Sequence, residues 1–251
     1  MFRIEYVGAT HRGLVRSANE DAIVCGEESL SMDNGNIGDF LHEEVDLNMP
    51  RQFAVFDGLG GEQCGEVASH MAAQAFKKWQ PKASKQAIQT LCEEMNRSIC
   101  MFTERNSLRT CGTTAAMIVA DSSHIISCNL GDSRIFAFHD KKMEQISVDH
   151  VLQLSLRKKA PLTQFLGIPE TELVLEPTYA NRTPHDGDQY LLCSDGLTDM
   201  ISEESIACIM NQECALKKKA EKLFESAMAG GGLDNISLIL LQLRMIDGSN
   251  N

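Results

Sequence analysis

"TTAAMIVADSSHIISCNLGDSRIFAFHD", residues 113–140, holds three short runs rich in apolar residues, broken at "DSSH" (121–124) and at "GDS" (131–133). Breaks this tight join strands antiparallel, because a parallel crossover needs a dozen residues or more. The expectation is an antiparallel meander. Working outward, "QFAVFD" (52–57) reads as a short buried strand, as do "DQYLLCSDG" (188–196) and "NISLILLQL" (235–243). A helix is expected over 62–79, with Val67, Ala68, Met71, Ala72, Ala75 and Trp79 on one face. A second is expected over about 84–105, with the stripe Ile88, Leu91, Met95, Ile99 and Phe102. Two more fall at about 203–211 and 214–229. Ser202 is placed to cap the first of these, Ile201 and Ile206 are spaced for a staple, and Gly230–Gly232 stop the second. Residues 27–50 and 149–187 read as irregular. Paired helices and clustered antiparallel strands make an α+β layered fold, not a doubly wound parallel sheet.

The bulk numbers narrow the function. At 251 residues and 43% hydrophobic, the chain can bury a large core in one domain. The formal charge of −12 argues against nucleic acid and anionic membrane as main partners. No apolar run is long enough to span a bilayer, and "MFRIEYVGATHRGLVR" (1–16) has no apolar leader core, so a cytoplasmic protein is expected. The cysteines form no C-x-x-C pair. Cys111, Cys128, Cys193 and Cys208 lie in apolar segments and read as small core residues of a reducing compartment.

Aspartates recur beside small residues at the ends of apolar runs: Asp21 in "NEDAIVC", Asp57 in "VFDGLGG", Asp132 in "NLGDS", Asp195 in "LLCSDG" and Asp234 in "GLDNIS". An Asp-Gly pair alone is usually a turn. Five at strand ends are another matter, because clustered carboxylates need compensation by protons or cations. No His or Cys recurs with them, and an all-oxygen set suits Mg²⁺ or Mn²⁺ rather than zinc. "DNGNIGDFLHEE" (33–44) imitates a calcium loop through Asp33, Gly38 and Glu44. Gly35 and Ile37 stand where oxygen-bearing side chains are required, so calcium is rejected and a surface loop is expected.

The ordered set "VRSANEDA", "FAVFDGLGGEQCGEVAS", "CGTTAA", "NLGDSRIF", "VDH", "LTQFLG", "LLCSDGLTDM" and "GGGLDNIS" resembles the PPM family, the type 2C-like metal-dependent protein serine/threonine phosphatases. The likeness spans nearly the whole chain and is strongest to the compact bacterial members. It implies a four-layer α/β/β/α sandwich: two central antiparallel sheets flanked by helix pairs. It implies one domain over 1–245, with a short flap at about 149–187 and a tail at 246–251. It implies hydrolysis of phosphoserine and phosphothreonine by a water or hydroxide bridging two Mg²⁺ or Mn²⁺ ions. In that pattern Asp57 bridges both ions, Gly58 lends its carbonyl where a side chain would crowd the ion, and Asp195 and Asp234 ligate the first ion. Glu20 and Asp21 hold metal-bound waters, and Asp132, Asp195 and Asp199 form a weaker third site. Arg16 grips the substrate phosphate, and Asn235 orients Asp234. Phosphoprotein partners, an opposing serine/threonine kinase and a monomer follow from the same likeness.

Leu59 departs from the family, where many members have a histidine, so the leaving group must take its proton from elsewhere. Ser155 is a flap candidate for the third ion. The basic run Arg157, Lys158 and Lys159 is either a docking patch for acidic phosphopeptides or a solvated loop. Two other functions compete: a non-catalytic scaffold of the same family, and a phosphatase of small phosphate esters. Retention of Asp57, Asp195 and Asp234 disfavours the first. Nothing in the residues excludes the second.

Overall fold

The structure is a computed structural model and describes residues 1–31, 40–60, 64–152 and 160–246. Ser155 and Arg157–Lys159 lie outside the described residues, as does most of the rejected calcium loop. In chain order the elements are β1 (Phe2–His11), β2 (Asp21–Cys25), β3 (Glu28–Ser31), β4 (Leu41–Asp46), β5 (Arg51–Leu59), α1 (Cys64–Lys78), α2 (Lys85–Arg105), β6 (Gly112–Thr113) and β7 (Ala115–Ala120). There follow β8 (Ile125–Leu130), β9 (Arg134–His139), β10 (Lys142–Gln145), β11 (Thr178–Arg182), β12 (Gln189–Cys193), α3 (Asp195–Thr198), α4 (Glu203–Met210), α5 (Leu216–Ala229) and β13 (Ile236–Met245).

Two sheets form, one in the order β10-β9-β12-β13-β1-β4 and one in the order β11-β8-β7-β5-β2-β3, with β6 added beside β5. Every recorded pairing between neighbours is antiparallel. Three apolar clusters separate four layers. Ile23, Phe53, Val55, Ile118, Tyr190, Ile239 and their neighbours fill the space between the sheets. Phe56, Met117 and Val119 meet Phe76 of α1 and Leu91, Met95 and Ile99 of α2 on one outer face. Phe136, Leu191 and Leu240 meet Ile206 of α4 and Leu223 and Phe224 of α5 on the other. Strands covered on both faces carry near-continuous apolar runs rather than alternation, which is why β7, β8 and β12 read so strongly.

The helices follow the pattern, with adjustments. In α2 the stripe Ile88, Leu91, Met95 and Ile99 is buried. In α1 the buried face runs through Ala68, Ala72, Ala73 and Phe76, so Val67, Met71 and Trp79 lie at its margin. Ser202 caps α4, accepting from the Ser205 N–H, and Gly230 closes α5.

The meander expectation fails at its second turn. β7 and β8 are neighbours, but β9 belongs to the other sheet. Gly131, at φ +96°, and Ser133 turn the chain across the sandwich, and a β-carbon on Gly131 would overlap the Thr114 side chain. The two stretches expected to be irregular contain β3, β4 and β11, all edge or near-edge strands. Edge strands keep one face in water and so lack a continuous apolar run. Cys111, Cys128 and Cys193 are buried, whereas Cys208 is exposed on α4. No helix among the described residues is long and apolar enough to cross a membrane.

Candidate active site

The carboxylates gather at one end of the sandwich because their strands end there. Asp57 lies on β5 opposite Asp21 on β2 in the antiparallel register. Like charges placed directly opposite each other destabilise a sheet unless something compensates them. The "GTT" segment pins Asp57 by its backbone. The Asp57 N–H donates to Thr114 Oγ1 at 3.0 Å, and its carbonyl accepts from the Thr114 N–H at 2.8 Å and Thr113 Oγ1 at 2.9 Å. Thr114 Oγ1 in turn pairs with Ser133 Oγ at 2.7 Å, tying the Asp57 strand to the Asp132 turn.

Gly58 has a second reason beside the one expected. A β-carbon there would collide with the backbone carbonyls of Gly65 in α1 and Glu20 before β2. The packing of α1 on the strand end therefore already demands glycine, independent of any ion. Ser69 of α1 donates to the Glu20 carbonyl at 2.6 Å and closes the same junction.

Asp21 is 1% exposed and lies off the cleft lining. Its Oδ2 accepts from Ser237 Oγ at 2.6 Å, at the end of a buried chain in which Asn19 donates to Thr10 and Thr10 pairs with Ser237. Its Oδ1 is buried and has no hydrogen-bond partner. Burial pushes the Asp21 carboxyl up to about 7, the Ser237 bond pulling the other way. A buried carboxylate oxygen left in this state is costly, and a cation or a proton relieves it.

Asp195 begins α3 directly after β12, and Asp234 precedes β13. Gly196 and Gly13 allow the two segments and the 12–20 loop to touch. A β-carbon on Gly196 would overlap the Asn235 carbonyl, and one on Gly13, at φ +78°, would overlap the Asp234 carbonyl. Asn235 bonds both Asp234 and the 12–20 loop. Its backbone N–H donates to Asp234 Oδ1 at 2.9 Å, while its side chain holds the 12–20 loop. The side-chain Oδ1 accepts from the Glu20 N–H at 2.8 Å, and Nδ2 donates to the carbonyls of Arg12 at 3.0 Å and Ala18 at 2.9 Å. That loop delivers Arg16, whose guanidinium donates to Asp234 Oδ2 at 2.7 Å. The bond to Asp234 raises the Arg16 pKa, so the group stays cationic. Burial pushes the Glu20 carboxyl up, with Arg16 opposing.

The resulting cleft, about 380 Å³, is lined by Arg16, Glu20, Asp57, Gly58, Leu59, Asp132, Asp195, Asp234 and Asn235 on the strand side. Ala160, Leu162 and Phe165 wall the other side. Asp199 is exposed one turn beyond Asp195, to whose carbonyl its N–H donates at 2.7 Å, and it does not line the cleft. Five carboxylates thus face one guanidinium. Oxygen donors without a single imidazole or thiol on the described lining, above a buried orphan carboxylate oxygen, fit hard divalent cations. The hydroxyl residues Thr10, Ser69, Thr113, Thr114, Ser133, Ser194 and Ser237 escaped the sequence reading as site residues. Each lies close in sequence or space to an acid, but a short hydroxyl is so common at strand ends that only its partner marks it.

A model of the protein phosphatase 2C family matches residues 38–229. The serine/threonine protein phosphatase PstP of Mycobacterium tuberculosis is 29% identical over 252 residues, covering 94% of this chain and 44% of its own length. The chain thus spans under half the length of that relative. The serine/threonine phosphatase stp of Listeria welshimeri is 28% identical, covering 94% of this chain and 95% of its own. Among solved structures, the catalytic domain of PstP in complex with two manganese ions aligns with a TM-score of 0.78 at 27% identity, covering 98% of this chain and all of that one. The serine/threonine phosphatase of S. agalactiae aligns at 0.79 and 25%, over 95% and 99%. Motifs, sandwich and cleft agree with the match over most of its length, and the chain belongs to the protein phosphatase 2C family.

Proposed function

We propose that this chain hydrolyses phosphoserine and phosphothreonine in proteins, using two Mg²⁺ or Mn²⁺ ions. The observation that carries the reading is the convergence of Glu20, Asp57, Asp132, Asp195 and Asp234 on one cleft beside Arg16. The residues that would hold the ions are Asp57, common to both, the Gly58 carbonyl, and Asp195 and Asp234 for one of them. Glu20 acts from the rim and Asp21 from beneath the floor, on the solvent shell of the ions. Asp132 and Asp195, with Asp199 from the exposed turn, are the set for a weaker third ion. When bound, the ions supply positive charge that acidifies water and neutralises the phosphoryl group.

The chain's own residues do the rest. Arg16 receives the phosphate, because a guanidinium makes planar, paired bonds to phosphate oxygens. Its bond to Asp234 holds it at the cleft mouth until substrate arrives. Thr113 and Thr114 keep the Asp57 backbone from shifting as charge changes beneath it. Leu59 lines the cleft but has no proton to give, so the departing serine or threonine oxygen takes its proton from solvent within the cleft. By the same reading the substrates are phosphoproteins made by a serine/threonine kinase, and residues 1–245 work as one cytoplasmic, monomeric domain.

The test is hydrolysis of phosphothreonine peptides after exhaustive EDTA treatment, with and without added Mg²⁺ or Mn²⁺. Activity lost and then restored supports the reading, and full activity in EDTA overturns it. A preference for phosphorylated metabolites over phosphopeptides would overturn the protein-substrate part alone.

A further inference from the structure

At the far end of the same sheet lies a second cluster of metal-ligating side chains. β9 starts beside the Asp132 turn and ends at His139, while β12 starts after Asp188 and ends just before Asp195. Six residues separate Asp188 from Asp195, and at about 3.3 Å each they hold the cluster roughly 20 Å from the cleft. It shares no residue with the cleft.

We propose that His139, His185 and Asp188 form a separate binding site for a borderline transition-metal ion, zinc foremost. The ligand atoms of the three lie within 4.8 Å of one another, the only such group of three found among the described residues. Asp188 is the anchor. It is buried, and its Oδ1 meets His139 Nδ1 at 2.6 Å, while Oδ2 lies 3.5 Å from His185 Nδ1. Zinc binds imidazole and carboxylate at about 2.0–2.2 Å, which puts tetrahedral ligand atoms roughly 3.3 Å apart. The two spacings, one to each oxygen of the Asp188 carboxylate, lie on either side of that value. The two rings are 5.3 Å apart between centroids and tilted by 56°, both turned to the one carboxylate.

The site is also built rather than incidental. Asp188 Oδ2 accepts from the His185 N–H at 3.0 Å, fixing the 185–188 turn in which Gly187 takes φ +82°. The Gly187 N–H donates to the Leu243 carbonyl, and the Leu243 N–H to the Asp188 carbonyl, so β13 straps the turn in place. The three residues open on a cleft of about 330 Å³, lined also by Arg182, Thr183 and Tyr190, with room for the fourth, water-held position of an open zinc site. The nearby charge favours a cation: Asp140 lies 3.3 Å from His139 Nε2, and Arg182 is already paired with Glu144. Two imidazoles and a carboxylate suit zinc, whereas the all-oxygen cleft suits magnesium or manganese. One chain thus sorts two kinds of ion to its two ends.

The experiment compares the wild-type protein, saturated with Mn²⁺, with the double variant His139→Asn/His185→Asn. Zinc chloride is added to each, and bound zinc is counted by equilibrium dialysis and elemental analysis. The expected result is one more zinc per chain in the wild type, with a melting temperature that zinc raises only there. Equal zinc in both overturns the proposal, even if some zinc displaces manganese from the cleft, because that loss is common to both. Neither histidine touches the cleft, so manganese-dependent activity of the variant reports its folding. Should the double variant fail to fold, His185→Asn alone, at an exposed position, must weaken zinc binding at least about tenfold. An unchanged zinc affinity in that variant overturns the proposal.

Discussion

The floor of the cleft and its outer wall are held by different means. The floor is made of strand ends: Asp21 and Asp57 sit in register on neighbouring strands, and Thr113, Thr114 and Ser133 bond to the Asp57 backbone or to each other. Moving Asp21 or Asp57 breaks sheet pairing. The wall from Ala160 to Ile168 hangs from a few points. The buried Asn96 of α2 accepts from the N–H groups of Gly167 at 2.6 Å and Ile168 at 3.1 Å, and donates to the Ile168 carbonyl at 2.9 Å. Thr113 and Leu166 exchange backbone bonds, both at 2.9 Å, and His150 ties the root of the wall to Gly131 and Thr178. Burial lowers the His150 pKa, which keeps the ring neutral and its Nδ1 free to accept from Gly131. The lesson is a division of labour. The floor rests on the sheets, and the wall rests on the Asn96 and His150 side chains and one backbone pair to Thr113.

The sharpest break of this comparison is Asp57→Asn. Turnover should fall by on the order of 10³-fold, as when a central charge-stabilising group is removed. The fold should be no less stable without metal, because one of two opposed carboxylates has lost its charge. Turnover of phosphopeptide and thermal melting in EDTA read both. A near-normal rate would end the floor assignment.

Asn96→Ala should do the reverse. Three hydrogen bonds to buried backbone are lost, costing about 2–4 kcal/mol of stability in a denaturant titration. The Michaelis constant for phosphopeptide should rise more than that for p-nitrophenyl phosphate, which is too small to need the wall. Equal losses on both substrates would mean that wall and floor are one unit.

Arg16→Ala should raise the Michaelis constant about tenfold or more while leaving the turnover number nearly intact, and Arg16→Lys should recover only part. A loss confined to turnover would place Arg16 on the transition state.

The smallest effect tests the buried half of the floor. The Asp21 carboxyl titrates at about 7 in the fold, against about 3.9 in an unfolded chain. The native state therefore holds its proton more tightly, and the stability of the metal-free protein should decline as pH rises from about 4 to about 7. Asp21→Asn should flatten that decline and add on the order of 2 kcal/mol above neutrality. Melting in EDTA across this range checks the sign, and an unchanged slope would assign the pH dependence to another group.

Much of this was legible in the residues, because its causes are local. An aspartate beside a small residue where an apolar run stops or starts marks a strand end by its near neighbours, so Asp57, Asp195 and Asp234 could be picked out before any pairing was known. The stripe of α2, the Ser202 cap and the glycine stop after α5 are likewise set by neighbours within a few residues.

What lay beyond reach depends on partners far along the chain. Asp21 in "NED" reads as one acid of the cluster, but its neighbours do not show that it is buried against Ser237, 216 residues away. Asn235 looks like an aid to its neighbour, and it holds a loop 215 to 223 residues earlier. Gly58 reads as room for an ion, and the fold shows that α1 also needs that room. The turn at Gly131 looks like a hairpin and instead crosses the sandwich, because which sheet β9 joins is decided by β10 and β12 rather than by the turn. Side-chain chemistry and period are properties of a segment. Burial, register and the choice of sheet are properties of what that segment meets, and only the folded chain brings those partners together.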